Sequence, residues 1–249
     1  MEWGDRGIVL AERRHGESGA IVSLLTVEHG RHAGRVRSTQ GARTRGVFVP
    51  GNLVQASWRA RLDEHLGTYT AELVTPFAAR VLDDPGRLAG LASACALCEQ
   101  ALPEREPHPG AFAALHALLE DVATPGWPAA YVRWEVGFLA ELGFGLDLRC
   151  CAVTGTTDDL GFVSPRTGRA VSMAAAAPWR GQLLALPRFL IDRTAAPERD
   201  DLRAGLALTG YFLVAHLFAP HGRAEPAART RLLDQIDRFA TISGRGETE

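Results

Sequence analysis

Along residues 52–62 (NLVQASWRARL) the chain changes polarity at nearly every step. Leu53, Gln55, Ser57, Arg59 and Arg61 fall on one side, and Val54, Ala56, Trp58 and Ala60 on the other. A period of two is the mark of a strand with one face buried. Similar short segments surround it. Residues 7–14 (GIVLAERR) open on an apolar run, and residues 20–28 (AIVSLLTVE) are rich in β-branched and aliphatic side chains. Residues 30–38 (GRHAGRVRS) follow a His29-Gly30 turn signal, and residues 66–74 (LGTYTAELV) close the set. Gly16, Gly41, Gly46 and Pro50-Gly51 punctuate these runs where the chain must turn. Five short strands within about 70 residues predict a small closed or partly closed barrel of the OB type. A half-open sandwich is the alternative.

The pattern changes at Pro76. Residues 87–102 (RLAGLASACALCEQAL) place Leu88, Leu91, Ala92, Cys95 and Leu102 at helical spacing, with Asp83 or Asp84 as cap and Pro85 in the first turn. Residues 111–122 and 128–144 predict two further helices, the latter with a stripe of Tyr131, Trp134 or Val136, Phe138 and Leu142. A glycine-rich insert with strand-like pieces follows at about residues 146–175. Residues 198–219 then form a long apolar helix and residues 226–240 a final amphipathic one. The expected architecture is α+β: a five-stranded barrel over residues 1–80, then an all-α domain over residues 81–249 carrying the insert.

Composition bounds the setting. Of 249 residues, 46% are hydrophobic and 22% charged, as in ordinary globular chains. The longest apolar run, residues 206–219 (LALTGYFLVAHLFA), is shorter than the roughly 20 residues a membrane span needs, so it reads as a buried helix and no membrane is expected. The N-terminus lacks the apolar core of a secretory signal. Four cysteines, two of them adjacent, do not form a disulfide framework. A soluble protein of the reducing cytoplasm is expected.

Charge sharpens the picture. The net charge is −2, and because lysine is absent all 27 positive side chains are arginine. Biased codon use accounts for the missing lysine, yet arginine binds phosphate bidentately and stacks on flat rings. Between His29 and Leu62 stand Arg31, Arg35, Arg37, Arg43, Arg45, Arg59 and Arg61, with no Asp or Glu. Strand alternation places Arg35 with Arg37 on one face and Arg59 with Arg61 on another, while Arg43 and Arg45 lie on the loop between. A barrel turning these faces outward offers a positive groove that suits the backbone of DNA. Natural surfaces usually mix signs, so a solvated face that binds nothing explains the window less well. Aromatic partners there are few (Phe48, Trp58 and Tyr69), and Trp58 falls on the apolar side, so phosphate contacts should dominate with little base preference.

Catalytic signals are weak. There is no HExxH, no phosphate-binding glycine loop and no defensible nucleophile-base spacing. A metal-dependent hydrolase built on His15, Glu17, His29 and His32 is the enzyme reading, but no ligand spacing supports it, and no catalytic residue or cofactor is expected. Cys95 and Cys98 fit a helix core. Cys150-Cys151 sits in the glycine-rich insert, a setting closer to a zinc knuckle, but no second cysteine pair follows.

Taken together, GIVLAERRHGESGAIVSLLTVEHGRHAGRVR, VPGNLVQASWRARLDEHLGTYTAELV, YVRWEVGFLAELGFGLDLRCCAVTG and GFVSPRTGRAVS resemble the bacterial RecO family of recombination and repair proteins, over nearly the whole chain. The resemblance implies an N-terminal OB barrel and a helical domain with a zinc-finger-like insert. It implies binding of single- and double-stranded DNA, annealing of complementary strands, and loading of RecA, with RecR, onto DNA coated by single-strand-binding protein, whose acidic C-terminal tail is a further partner. A cytoplasmic, nucleoid-associated location follows. Many members hold zinc through four cysteines. Here Cys151 matches the first, but Thr154, Val171 and Ala174 stand at the others. No metal is therefore expected, and packing of Leu160, Phe162, Val163 and Val171 should hold the insert. The alternative function is a protein-interaction scaffold in which DNA binding is secondary. A slot for an acidic peptide would then be rimmed by Arg133, Arg203, Arg229 and Arg231.

Overall fold

The computed structural model describes the backbone of residues 1–17, 19–37, 46–62 and 64–243, and their side chains as far as residue 237. Five strands, β1 (Glu2–His15), β2 (Gly19–Thr26), β3 (Gly30–Val36), β4 (Leu53–Arg59) and β5 (Thr68–Thr75), close into a barrel in the order β1-β2-β3-β5-β4. All neighbours are antiparallel except β3 and β5, which run parallel and meet at Arg35 and Thr68. Closure replaces the half-open sandwich. It depends on β1, which pairs with β4 from Glu2 to Ile8 and with β2 from Gly7 to His15. A register shift between Val9 and Ala11 bends the strand so that it can serve both neighbours. The strand starts earlier than its apolar run because Trp3 and Asp5 already alternate inward.

The barrel interior is filled by Val9, Val22, Leu24, Val36, Val54, Ala56 and Trp58 together with Phe48 and Tyr69. Phe48 and Trp58 of the basic window, and Tyr69 beyond it, are therefore core. Gly34 and Gly67 make room for them. A Cβ on Gly34 would lie 2.4 Å from the Tyr69 ring, and one on Gly67 2.3 Å from the Trp58 ring, and Gly67 also has φ +64°.

From Val22 to Thr26 strand β2 is buried on both faces, which explains why it reads as a run rather than an alternation. Its outer face is covered by helices. After α1 (Phe77–Arg80) come α2 (Pro85–Ala101) and α3 (Pro109–Asp121), both packed on β2, with α2 also on β1. Asp84 caps α2, accepting the Gly86 and Arg87 N–H groups. Cys95 and Cys98 are buried within α2, and that burial pushes both thiols up, Cys95 to about 12.

The chain forms two compact units, Met1–Pro125 with Pro226–Leu232, and Gly126–Glu225 with Leu233–Glu249. In the second, α4 (Trp127–Glu141) precedes the insert. There β6 (Leu160–Val163), β7 (Ala170–Ser172), α5 (Met173–Ala176) and β8 (Leu184–Ala185) give a sheet in the order β7-β6-β8. The third strand lies beyond the span expected for the insert. Leu160, Val163 and Val171 are buried, and Phe162 is half-buried under the Arg180 guanidinium.

Helix α6 (Arg199–Leu213) opens with a capping box between Glu198 and Asp201 and continues through a π turn, Val214–Phe218, to His221. The most apolar 18-residue window of this 23-residue run has a mean hydropathy of 1.4, enough by length and composition to cross a membrane, but half of that window is buried in the protein. It packs on α4, where Thr209 donates to the fully buried Glu135 carboxylate. Helix α7 (Ala227–Ser243) ends the described chain.

Candidate nucleic-acid interface

Strand pairing sets which arginines share a face. Arg13 of β1 pairs with Ile21 of β2, and Ile21 with Arg35 of β3. Arg35 pairs with Thr68 of β5, Thr68 with Arg59 of β4, and Arg59 with Glu2 at the start of β1. Directly paired residues lie on the same side of a sheet, so one outward row runs round the barrel from Arg13 to Glu2. Arg35 and Arg59 flank Thr68 in it, about 10 Å apart across two strand spacings.

The free cations of this face are few and specific. Arg35, Arg37 and Arg61 are exposed and form no ion pair among the described residues. Arg59 is 74% exposed and pairs with Glu2, donating from Nη2 at 2.8 Å. Arg13 reaches Glu99 of α2 at 3.5 Å while remaining 73% exposed. An exposed pair contributes at most about 1 kcal/mol and weakens with salt, so both guanidinium groups remain open to exchange their partners. Arg43 and Arg45 lie outside the described residues.

Arg31 behaves differently. It stands on the outward face of β3, as Arg35 does, but α2 covers that end. Its Nε donates to the Leu102 carbonyl at 2.8 Å, and Nη1 lies 3.5 Å from Glu104 and 3.8 Å from Glu99. The link from α2 to α3 runs alongside β3 here, in a parallel bridge between Arg31 and Glu104, with the Arg105 N–H donating to the Arg31 carbonyl. The linker thus continues the edge of β3 where β5 has diverged.

The histidines of the hydrolase reading do not converge. His15 and Glu17 are exposed at the β1–β2 turn. His29 stacks on Trp3 at 4.0 Å and faces the Asp5 carboxylate, whereas His32 is buried against Trp58 and Tyr69. Among the described residues, no group of three or more His, Cys, Asp or Glu is placed to hold a metal.

Two family models cover most of the chain: "Recombination protein O N terminal" over residues 1–77 and "Recombination protein O C terminal" over residues 82–225. The DNA repair protein RecO of Rhodospirillum rubrum is 52% identical over 247 residues, covering 96% of this chain and 98% of the relative. That of Rhodospirillum centenum is 54% identical over 246 residues, covering 98% of each, and that of Phenylobacterium zucineum 51% identical over 243 residues, covering 97% and 100%. The chain belongs to the RecO family.

As a RecO family member, the chain is a DNA repair protein whose five-stranded barrel and helical region correspond to the two family models. The zinc-finger-like insert can be tested against the residues present. Of the four matching positions only Cys151 carries a thiol, since Thr154, Val171 and Ala174 occupy the others; the adjacent Cys150 stands outside the pattern. The Cys151 sulfur is already engaged, accepting the Ser172 N–H at 3.3 Å. Burial pushes this thiol up, but hydrogen bonds from Ser172 and Thr154 outweigh it and bring Cys151 down to about 6. One thiolate beside two aliphatic side chains does not make a tetrahedral zinc site, so the residues do not fit the metal. Backbone bonds, Cys151 N–H to Thr156 and Ala152 N–H to Ala170, hold the turn instead.

The four arginines expected around a peptide slot are divided between the compact units. Arg133 donates to the Phe189 carbonyl at 3.0 and 3.2 Å and lies over the Phe189 ring, and Arg203 pairs with Asp237 at 3.0 Å. In the other unit Arg229 is 1% exposed, while Arg231, two residues on, is exposed. Sequence reasoning missed Arg13. Arg13 lies in the polar end of residues 7–14, but its place in the row depends on the partners of β1, which no local pattern discloses.

Proposed function

We propose that this chain is a non-catalytic DNA-binding protein of recombinational repair. It binds single- and double-stranded DNA through phosphate contacts, anneals complementary strands, and with RecR helps to load RecA onto DNA coated by single-strand-binding protein. The acidic tail of that coating protein is a second partner, and the setting is the cytoplasm, at the nucleoid.

One observation carries the reading: the outward row in which Arg35 and Arg59 flank Thr68, with Arg37 and Arg61 close in sequence at the strand ends. Annealing requires two polyanions to approach each other. A row of fixed cations lowers their repulsion without choosing sequence, because counterion release depends on charge and not on bases. The burial of Phe48, Trp58 and Tyr69 agrees with this, since it leaves these rings unable to stack on bases. Arg31 is left out of the contact set because α2 holds it. Arg13 enters it.

The test is strand annealing and gel shift over a salt series, with and without the single-strand-binding protein. The reading expects sequence-independent binding that falls steeply with salt, and annealing that survives the coating protein. Binding that ignores salt, or none at all, contradicts it.

A further inference from the structure

The loop between β4 and β5 is held from two sides. From inside the barrel, Trp58 Nε1 donates to the Leu66 carbonyl at 3.1 Å. From outside, the Arg105 guanidinium donates through one nitrogen, Nη2, to the Glu64 carbonyl at 3.3 Å and the His65 carbonyl at 3.2 Å. Arg105 belongs to the α2–α3 link, 40 residues further along the chain than His65. The same loop carries Arg61 and returns through Gly67 to Thr68, the residue between Arg35 and Arg59.

The backbone of Arg105 makes the arrangement distinctive. Its φ is +60°, the left-handed region, which residues with a Cβ rarely adopt. Such a conformation persists only where neighbours hold it. Here the Arg105 N–H is fixed on the Arg31 carbonyl at 2.8 Å, and Arg31 is itself anchored to α2 through Leu102. A chain of contacts therefore runs from the end of α2 through Arg31 and Arg105 to the β4–β5 loop.

We infer that Arg105 is a positioning residue: from the α2–α3 link it clamps the β4–β5 loop and so sets where Arg61 stands relative to the Arg35–Arg59 row. The consequence for DNA rests on the phosphate-binding reading above; the clamp itself does not. A partner that shifts the α2–α3 link would move a DNA-contacting loop on the opposite side of the clamp. The coupling needs no change in the barrel core.

The test compares R105G, R105K and the unaltered full-length chain. Glycine accepts the positive φ without strain, so R105G removes the guanidinium while keeping the backbone path. R105K retains a cationic donor at the end of a long side chain. Hydrogen exchange is followed in a peptide covering residues 62–67, and affinity for a fluorescent single-stranded oligonucleotide is measured alongside, with R35E/R37E as reference. R105G should exchange about threefold faster in that peptide and bind the oligonucleotide about threefold more weakly, as befits an exposed charge-assisted contact. Its urea midpoint should not fall, and R105K should recover part of both losses. Unchanged exchange in R105G overturns the clamp, whatever the affinity does. Faster exchange with unchanged affinity, while R35E/R37E binds weakly, overturns the positioning of Arg61. Faster exchange with no loss in R35E/R37E either upholds the clamp and removes the DNA reading instead.

Discussion

Arg35 and Arg59 stand on either side of Thr68 in one row of the barrel wall, each a directly paired strand neighbour of that threonine. A carboxylate placed between them would satisfy both guanidinium groups from within the protein and compete with phosphate. Thr68→Glu should therefore weaken binding of a single-stranded oligonucleotide by about five- to tenfold at low salt, with the difference shrinking as salt screens the pair. Thr68 is half-exposed, so the thermal midpoint should move little. Fluorescence anisotropy at two ionic strengths checks this.

Arg31 provides the contrast. It shares strand and face with Arg35, but its guanidinium is spent on the Leu102 carbonyl and on Glu99 and Glu104. Arg31→Ala should cost about 1–2 kcal/mol of stability, as the loss of a part-buried charge-assisted contact does. The slope of DNA affinity against salt should stay as it was. Urea unfolding together with a salt titration of the variant separates the two roles.

In the helical unit, the Thr209 hydroxyl meets the Glu135 carboxylate between α6 and α4. Both residues are fully buried. Thr209→Val keeps the shape but removes a donor from a buried acceptor, a loss worth about 1–3 kcal/mol. The urea midpoint should fall accordingly, and DNA binding by the folded fraction should be untouched.

Cys151 carries a pH signature. Its thiol is brought down to about 6 in the folded chain, from an ordinary value of 9.0, by hydrogen bonds from Ser172 and Thr154 that outweigh burial. The folded state therefore binds the proton less well than the unfolded state. The stability that this thiolate adds is complete above the unfolded value and is lost as the pH falls through about 6. The difference in unfolding free energy between the unaltered chain and Cys151→Ala should grow from pH 6 to pH 9, measured by urea titration at both. Elemental analysis should find no stoichiometric zinc, and a chelator should leave the melting temperature unchanged. Stoichiometric zinc would overturn the reading of the insert.

Local pattern disclosed much of this. The alternation over Gln55, Ser57 and Arg59 assigned the two faces of β4 correctly, and the run through Leu24 and Leu25 marked β2 as a strand with little alternation. Asp84 was legible as a cap because capping chemistry is local. What stayed hidden depends on partners distant in sequence. A period of two puts Arg31 and Arg35 on one face of β3 but does not disclose that the end of α2, about 70 residues on, takes one and leaves the other. The first residues of β1 lie ahead of the apolar run over residues 7–14, and what makes them a strand is their pairing with β4. The helical spacing of Arg133, Arg203, Arg229 and Arg231 did not reveal that Arg229 is buried or that Arg133 is held by Phe189. Periodicity reports the face of an element; what covers that face is decided elsewhere in the chain.

In the proposed function, exposed arginines on the barrel grip phosphate. Substituting two of them reverses the charge without touching the core, since Arg35 and Arg37 are exposed and unpaired among the described residues. Each phosphate contact with a single strand contributes about −0.7 to the slope of log affinity against log salt. For R35E/R37E, measured with a single-stranded oligonucleotide, that slope should become shallower by about 1.4, with weaker binding at every salt concentration and for every base composition. The same slope and affinity as the unaltered chain would contradict the account.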